Sequence, residues 1–217
     1  MFIGHYAPAF IAATSRKAPR LGILFVAAQL VDFGFFSLML ADVEHMRLTP
    51  GITAMNAMDL YDMPWTHSLA GALGWALGFA VVVRLLAKSW AAGAVAGAVV
   101  VSHWLIDLLV HRPDLTLAGS PPAYGLGLWN HPAIEIPLEL AFAYGGLAWF
   151  VTRTRARSRS GLVSPAVLAL AMAGCQAFNW FVPPEAITPA VPVSALAAYA
   201  LLALLAWWTA ANRDLRT

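Results

Sequence analysis

The chain has 217 residues, of which 60% are hydrophobic and only 11% are charged, and its net charge at pH 7 is +2. A soluble domain carries roughly 25% charged residues, so this composition excludes an ordinary soluble globular protein. The single cysteine excludes an internal disulfide and a cysteine-rich metal site. The sequence therefore predicts a membrane protein.

Six segments are long and apolar enough to cross a bilayer, which takes about 20 residues. They are residues 21–41, 67–87, 91–110, 132–151, 162–182 and 193–211. We therefore predict an all-α integral membrane protein with about six transmembrane helices in a single membrane domain, residues 1–217. Within it, residues 1–151 carry the ionisable side chains and residues 162–211 form two apolar packing helices. The apolar N-terminal residues predict a further short helix, which either re-enters the bilayer or lies along its interface.

The basic residues predict the orientation of the chain. Three Lys and Arg residues precede the first span, two lie between the second and third, four follow the fourth and two follow the sixth. The positive-inside rule places these loops and both termini in the cytoplasm, as expected for a bacterial-type inner membrane. The run "RTRARSR" has no interleaved aromatic residues, so it predicts a solvated loop and no nucleic-acid partner.

Ionisable residues collect in the opposite half of the predicted bundle. Apart from Asp214, every acidic residue lies in a span or in an outer loop. The helical rise places Asp32 and His103 roughly 17 to 18 Å above the cytoplasmic ends of their spans, and Glu135 about 5 Å below the outer surface. A re-entrant N-terminal helix would raise His5 to the level of Asp32. Because ionisable groups at such depth are expensive to bury, each is a candidate functional residue.

Two ladders of ionisable residues occur at intervals of four. They are His103, Asp107 and His111 on the third span, and His131, Glu135 and Glu139 on the fourth. Residues four apart share one face of a helix, so the two ladders would face each other across antiparallel spans. Mixed imidazole and carboxylate ligands suit divalent metals. We predict a site for one to three ions, zinc before manganese or iron.

These ladders resemble known metal-binding motifs. The pairs "HWLID" and "HPAIE" are similar to the His-x-x-x-Asp and His-x-x-x-Glu elements of zinc-dependent phospholipases C and related single-strand nucleases, which hold three metals. More closely, "MPWTHSLAG" followed by "VSHWLIDLLVHRPDL" resembles the Thr-His-Ser and Ser-His-x-x-x-Asp motifs of the YdjM-like family of predicted membrane-bound metal-dependent hydrolases. The resemblance covers roughly residues 1–140.

The resemblance implies a set of metal ligands, with Asp107 as the bridge between ions. The histidine and carboxylate ligands are His5, His67, His103, Asp107, His111, His131 and Glu135. It also implies a further aspartate, which is Asp32, Asp59 or Asp62. A carboxylate that is not fully used as a ligand, Asp62 or Glu139, would accept a proton from the attacking water.

These features predict a membrane-embedded metal-dependent hydrolase that acts on a lipid or amphiphilic phosphoester near the outer leaflet. A metal would lower the pKa of its bound water toward about 7 and polarise a phosphoryl oxygen. Expected partners are membrane lipid, a small amphiphilic substrate and a second copy of the chain. Two alternatives are open: a haem-binding electron carrier, and a proton- or ion-coupled transporter. The sequence shows neither the broken helices nor the inverted repeats that would support a transporter.

Overall fold

Residues 1–216, which the computed structural model of the chain describes, form a mostly helical bundle. Its helices are α1 (Tyr6–Ala12), α2 (Leu21–Ala28), α3 (Leu30–Leu40), α4 (Leu69–Ala87), α5 (Trp90–Val110), α6 (Pro132–Arg153), α7 (Arg159–Phe181) and α8 (Ala190–Ala211). Helices α4 to α8 are each long and apolar enough to cross a membrane, and α2 with α3 makes a sixth candidate. The prediction of an all-α membrane protein with about six spans is therefore confirmed at the level of helix length and composition.

The first predicted span is broken at Gln29, where the axes of α2 and α3 differ by 55°. Gln29 is fully buried, and its Nε2 donates a hydrogen bond to the carbonyl oxygen of Phe2 at 3.0 Å. At the same break, the carbonyl oxygen of Ala28 lies 2.7 Å from Nδ1 of His103. The expectation that no helix is broken is therefore wrong, and contacts with Phe2 and His103, both outside this helix pair, accompany the break.

The N-terminal segment is buried among the helices. A single 3-10 turn, Ile3–His5, leads into α1, where Tyr6 and Phe10 are fully buried. Gly146 of α6 faces Ala7, and a Cβ at Gly146 would lie only 2.9 Å from the Ala7 Cα. This burial favours the re-entrant alternative over the interfacial one, since backbone at membrane depth must be covered by protein.

Helix α5 is the most buried of the five long helices α4 to α8. It packs closely against α4 because Gly93 and Gly97 lie against the carbonyl oxygens of Ala80 and Ala76. Glycine permits this approach since any side chain would separate the two backbones. The position of α5 brings its His-x-x-x-Asp ladder to the centre of the bundle.

Three antiparallel two-stranded ribbons connect the helices, and the sequence analysis did not predict them. They are β1 (His45–Leu48) with β2 (Met58–Asp62), β3 (Leu115–Thr116) with β4 (Ala123–Tyr124), and β5 (Thr154–Ala156) with β6 (Arg213–Leu215). The β5–β6 ribbon includes part of the "RTRARSR" run, and Arg213 donates there to the carbonyl oxygens of Val151 and Gly161. That run is therefore partly ordered and not wholly a solvated loop.

Candidate metal centre

Six ionisable side chains from four parts of the chain meet in the bundle, and we call them the polar cluster. They are His5, Asp32, His67, His103, Asp107 and His111. All are buried except Asp32, which is partly exposed to a cavity. Two groups, His5 with His103 and Asp107, and Asp32 with His67 and His103, have ligand atoms within 4.8 Å of one another and could hold a metal ion.

Asp107 lies at the centre of the polar cluster. Its Oδ1 is 3.1 Å from Nε2 of His5 and 3.5 Å from Nε2 of His111. Its Oδ2 is 3.0 Å from Nε2 of His103 and 3.7 Å from Nε2 of His67. Asp32 Oδ1 lies on the second side, 3.3 Å from His67 and 3.6 Å from His103. The two oxygens of Asp107 therefore divide the four imidazoles into two pairs.

Hydrogen bonds fix the tautomer of two of these imidazoles. Nδ1 of His103 faces the carbonyl oxygen of Ala28, which can only accept. Nδ1 of His67 lies 2.9 Å from Oγ1 of Thr66, whose hydroxyl donates in turn to Glu44 Oε2 at 2.6 Å. Each Nδ1 must therefore carry the hydrogen, which leaves Nε2 of the neutral ring as an acceptor.

His111 follows the same rule at the end of α5. Its Nδ1 lies 2.9 Å from Oδ1 of Asp114, so Nδ1 donates and Nε2 presents its lone pair to Asp107. An oxygen partner on the far ring nitrogen is the arrangement that orients metal-ligating histidines in proteins. Three imidazoles of the polar cluster thus have the tautomer and the orientation that a metal requires.

With these imidazoles neutral, acceptor atoms face acceptor atoms inside the polar cluster. Nε2 of His103 and Oδ2 of Asp107 have no hydrogen-bond partner among residues 1–216, although they are only 3.0 Å apart. Within the same residues, no Lys or Arg pairs with Asp32 or Asp107. Buried lone pairs and carboxylates repel each other unless a cation lies between them. The donor set fits a divalent metal, because imidazole nitrogens and carboxylate oxygens both ligate zinc, manganese and iron.

The two glutamates of α6 are both buried at the edge of the polar cluster, but their partners differ. Glu139 accepts hydrogen bonds from the backbone N–H groups of Phe2 and Gly4 and from Nε2 of Gln176, the last at 3.1 Å. Both oxygens of Glu135 have no hydrogen-bond partner in the described chain. Glu139 therefore anchors the N-terminal turn, whereas both carboxylate oxygens of Glu135 are available for other contacts.

Three other predicted residues lie outside the polar cluster. His131 caps α6, is exposed and forms no ion pair with a carboxylate of residues 1–216. Asp62 is bound to His45 across the β1–β2 ribbon, at 2.7 Å. Asp59 pairs with two arginines. Of the three aspartates that the sequence left open, the structure therefore brings only Asp32 to the histidines.

A cavity of about 880 Å³ opens onto the polar cluster, within the size range of small-molecule sites. Its floor is polar and consists of Asp32, His67, Asp107, His111, Glu135 and Glu139. Its walls are mainly apolar and include Phe35 and Phe36 of α3 and Phe178 of α7. The cavity therefore combines a group of buried ionisable side chains with mainly apolar walls.

Sequence analysis missed several residues that support this centre. Tyr199 of α8 donates to Asp32 Oδ2 at 3.2 Å, and Gln176 of α7 reaches Glu139. A signal for one of them exists, because Gln29 and Gln176 are the only glutamines in the chain and both interrupt predicted spans. Asp114 has the pattern of a turn residue, and its role beside His111 becomes visible only in three dimensions.

Comparison with known proteins finds no matching family model, no matching curated protein and no matching solved structure. The similarity to YdjM-like proteins and zinc-dependent phospholipases C stays a prediction from motifs. Inference about function therefore depends on the geometry of the polar cluster and of the cavity above it.

Proposed function

We propose that the chain is a membrane-embedded, metal-dependent hydrolase that acts on a phosphoester of a lipid or another amphiphile. The observation that carries this proposal is the convergence of imidazole lone pairs on both oxygens of Asp107. Protons alone would satisfy these atoms only by charging several buried imidazoles close together, since the ring centroids of His5 and His103 are 3.9 Å apart. Divalent ions satisfy the same atoms without that repulsion.

Two overlapping groups of residues would hold the metal: His5 and His103 with Asp107, and Asp32 with His67 and His103. His111 lies at the edge of the first group, 3.5 Å from Oδ1 of Asp107. Zinc suits this set best, and manganese and iron suit it as well. When bound, divalent ions supply the positive charge that stabilises a developing phosphoryl oxyanion and activates water as a nucleophile.

The remaining carboxylates divide the other tasks. Glu135 is buried, lines the cavity and has both oxygens free, so it would accept the proton of the attacking water. Glu139 is already engaged by two backbone N–H groups and Gln176, and it would position the turn that carries His5. Tyr199 would orient Asp32 through its hydroxyl. Asp62 is removed from these groups by its pairing with His45.

The cavity supports an amphiphilic substrate. A phosphate ester would lie on the polar floor, and its hydrocarbon part would contact the apolar wall. The phosphate is then not buried against apolar side chains, and the hydrocarbon is not buried against charged ones. With the basic loops in the cytoplasm, the polar floor would face the outer half of a bacterial-type inner membrane. The substrate would then reach the centre from the outer leaflet.

A second candidate function is a proton- or ion-coupled carrier. The break between α2 and α3 favours it, because interrupted helices beside a buried polar site are typical of transporters. Here the carbonyl oxygen of Ala28 at the break accepts a hydrogen bond from Nδ1 of His103. The same contact would orient His103 as a metal ligand. Uptake of a labelled substrate into proteoliposomes without its hydrolysis would support the carrier.

The direct test is hydrolysis of phospholipids and alkyl phosphates by purified protein that has been stripped of metal and reloaded with zinc. We expect activity in the reloaded protein and none in Asp107→Asn. Asp62→Asn is the matched control, since it changes an aspartate that lies outside the polar cluster, and it should stay active. Activity that survives Asp107→Asn would contradict the proposal.

A further inference from the structure

We propose that the groove between α7 and α8 binds the hydrocarbon chain of the substrate. We also propose that the absence of a side chain at Gly174 leaves the space that this hydrocarbon chain occupies. This proposal builds on the proposed function, because it assigns the apolar part of the same substrate. It also gives the two C-terminal helices a function that their apolar sequences did not predict.

The cavity over the polar cluster continues along these helices. Gly174, Cys175 and Phe178 line it from α7, and Ala195 and Ala198 line it from α8. These side chains are apolar or small, so an alkyl chain would fill the groove without burying an unpaired polar group. The groove and the charged floor thus form one continuous space of about 880 Å³.

Three hydrogen bonds connect the two helices of the groove to the polar cluster and to the residues at its edge. At the α8 wall, Tyr199 donates to Asp32. At the α7 wall, Gln176 donates to Glu139 and accepts a hydrogen bond from the backbone N–H of Ile3 at 3.4 Å. The position of each wall is therefore fixed relative to the residues that would hold the phosphate.

Gly174 is the residue with which the groove can be tested. A Cβ at this position would meet no atom within 4 Å, so helix packing does not require glycine here. Glycine inside a helix is also unfavourable relative to alanine. Its absent side chain leaves space in the groove, and a Cβ would enter that space without a clash.

Side chains near the groove suggest that the alkyl chain enters from the side. Phe178 and Val182 line the cavity and are 57% and 54% exposed, as expected of side chains that meet lipid. The cavity lining also includes polar residues that are not part of the floor. Two of them, Asn179 and Glu185, come after Phe178 in the chain, at the end of α7 and in the connection to α8. An alkyl chain could thus pass from the bilayer into the groove while the phosphate reaches the floor.

The first experiment uses Cys175 as a reporter, since it is the only cysteine of the chain and it lines the groove. Full-length protein in a fluorinated surfactant is alkylated with N-ethylmaleimide in the presence of dodecyl phosphate or butyl phosphate. We expect dodecyl phosphate to slow the alkylation and butyl phosphate at equal concentration to leave it unchanged. Equal rates with both probes would overturn the proposal.

The second experiment compares Gly174→Leu with Gly145→Leu. Gly145 is a matched control because a Cβ there also meets open space, but it lies on α6 outside the cavity lining. We expect the preference for dodecyl over butyl phosphate in binding to fall at least about tenfold in Gly174→Leu and to persist in Gly145→Leu, because each methylene excluded from the groove weakens binding. An unchanged preference in Gly174→Leu would overturn the proposal.

The two proposals fail in different ways. Hydrolysis that does not depend on chain length in any variant would overturn the groove and leave the hydrolase intact. Chain-length-dependent protection of Cys175, with no hydrolysis in any metal-loaded preparation, would support the groove and overturn the hydrolase.

Discussion

Two neighbouring regions of the molecule concentrate ionisable side chains, and they balance charge in opposite ways. In the first, which we call the ion-pair network, Asp59 accepts from Nε of Arg47 at 2.6 Å and from Arg112. Nε of Arg112 also lies 3.4 Å from Oδ2 of Asp114. In the polar cluster, the carboxylates face imidazole nitrogens instead. The network is neutralised by its own arginines, whereas no Lys or Arg among residues 1–216 pairs with the carboxylates of the cluster.

Asp114 connects the two regions. Its Oδ2 faces Arg112 in the network, and its Oδ1 holds Nδ1 of His111 in the cluster. The network can therefore hold the edge of the cluster in place while contributing no positive charge to Asp107. A count of acidic and basic residues therefore does not identify a candidate metal centre. The tautomers of the histidines and the partners of the carboxylates distinguish such a centre from an ion-pair network.

The largest expected effect is the loss of the zinc response in Asp107→Asn. Zinc at about one hundred times its dissociation constant should stabilise the native protein by about 2.7 kcal/mol, because it binds only the folded cluster. Asp107→Asn removes the charge shared by all four imidazoles and should abolish this rise. Thermal unfolding in detergent with and without zinc measures it. Asp59→Asn, in the ion-pair network, should lower stability yet keep the zinc response.

The next largest effect concerns the arginines of the ion-pair network. Arg112→Met leaves Asp59 with a single arginine and should lower the free energy of unfolding by about 2 kcal/mol, less than for a fully buried pair since Arg112 is 27% exposed. Arg47→Met should cost under about 1 kcal/mol, because its side chain is 65% exposed. Chemical denaturation of both variants measures the two losses in the free energy of unfolding. Equal losses would show that the network does not depend on burial.

A smaller effect concerns the orientation of His67. Thr66→Val removes the hydroxyl that receives the hydrogen of His67 Nδ1, and we expect the affinity for zinc to fall about 10- to 100-fold. Competition with a chromophoric chelator gives the affinity. Thr66→Ser keeps the hydroxyl and should restore most of it. If Thr66→Val bound zinc as tightly as the native chain, Thr66 would have no part in the centre.

The smallest effect lies on the β1–β2 ribbon. Hydrogen bonds that the partly exposed His45 donates to Asp62, and then to Asp42, raise its pKa above 6.5. A raised folded pKa means that this contribution is complete below pH 6.5 and is lost as the pH rises through the folded pKa. The midpoint of unfolding should therefore drift down slightly over that range, and His45→Gln should remove the drift. A drift that persists in His45→Gln would assign it to another group.

Periodicity and depth together predicted a large part of the polar cluster. The spacing of four placed His103, Asp107 and His111 on one face of α5, and depth placed Asp32 and His5 at the same level. On α6 the same spacing was less informative, because His131 lies before the helix and points to the exterior of the cluster. Helical periodicity describes a face, but it does not say where the helix begins.

The parts that the sequence did not predict depend on contacts between distant residues. The break at Gln29 has no proline or glycine beside it, and a hydrogen bond to Phe2 and the approach of His103 to Ala28 accompany it. The contacts of Gln176 and Tyr199 with the centre likewise join residues more than 30 positions apart. Local pattern carries no information about such pairs.

Elemental analysis of the detergent-purified chain shows whether the nitrogen and oxygen atoms around Asp107 bind a metal. We predict at least about one zinc, manganese or iron per chain in native protein and in Asp59→Asn, and none in Asp107→Asn or His103→Ala variants that are shown to be folded. No metal in native protein, even after chelation and reloading with zinc, would contradict the account and leave protons as the cations of the polar cluster.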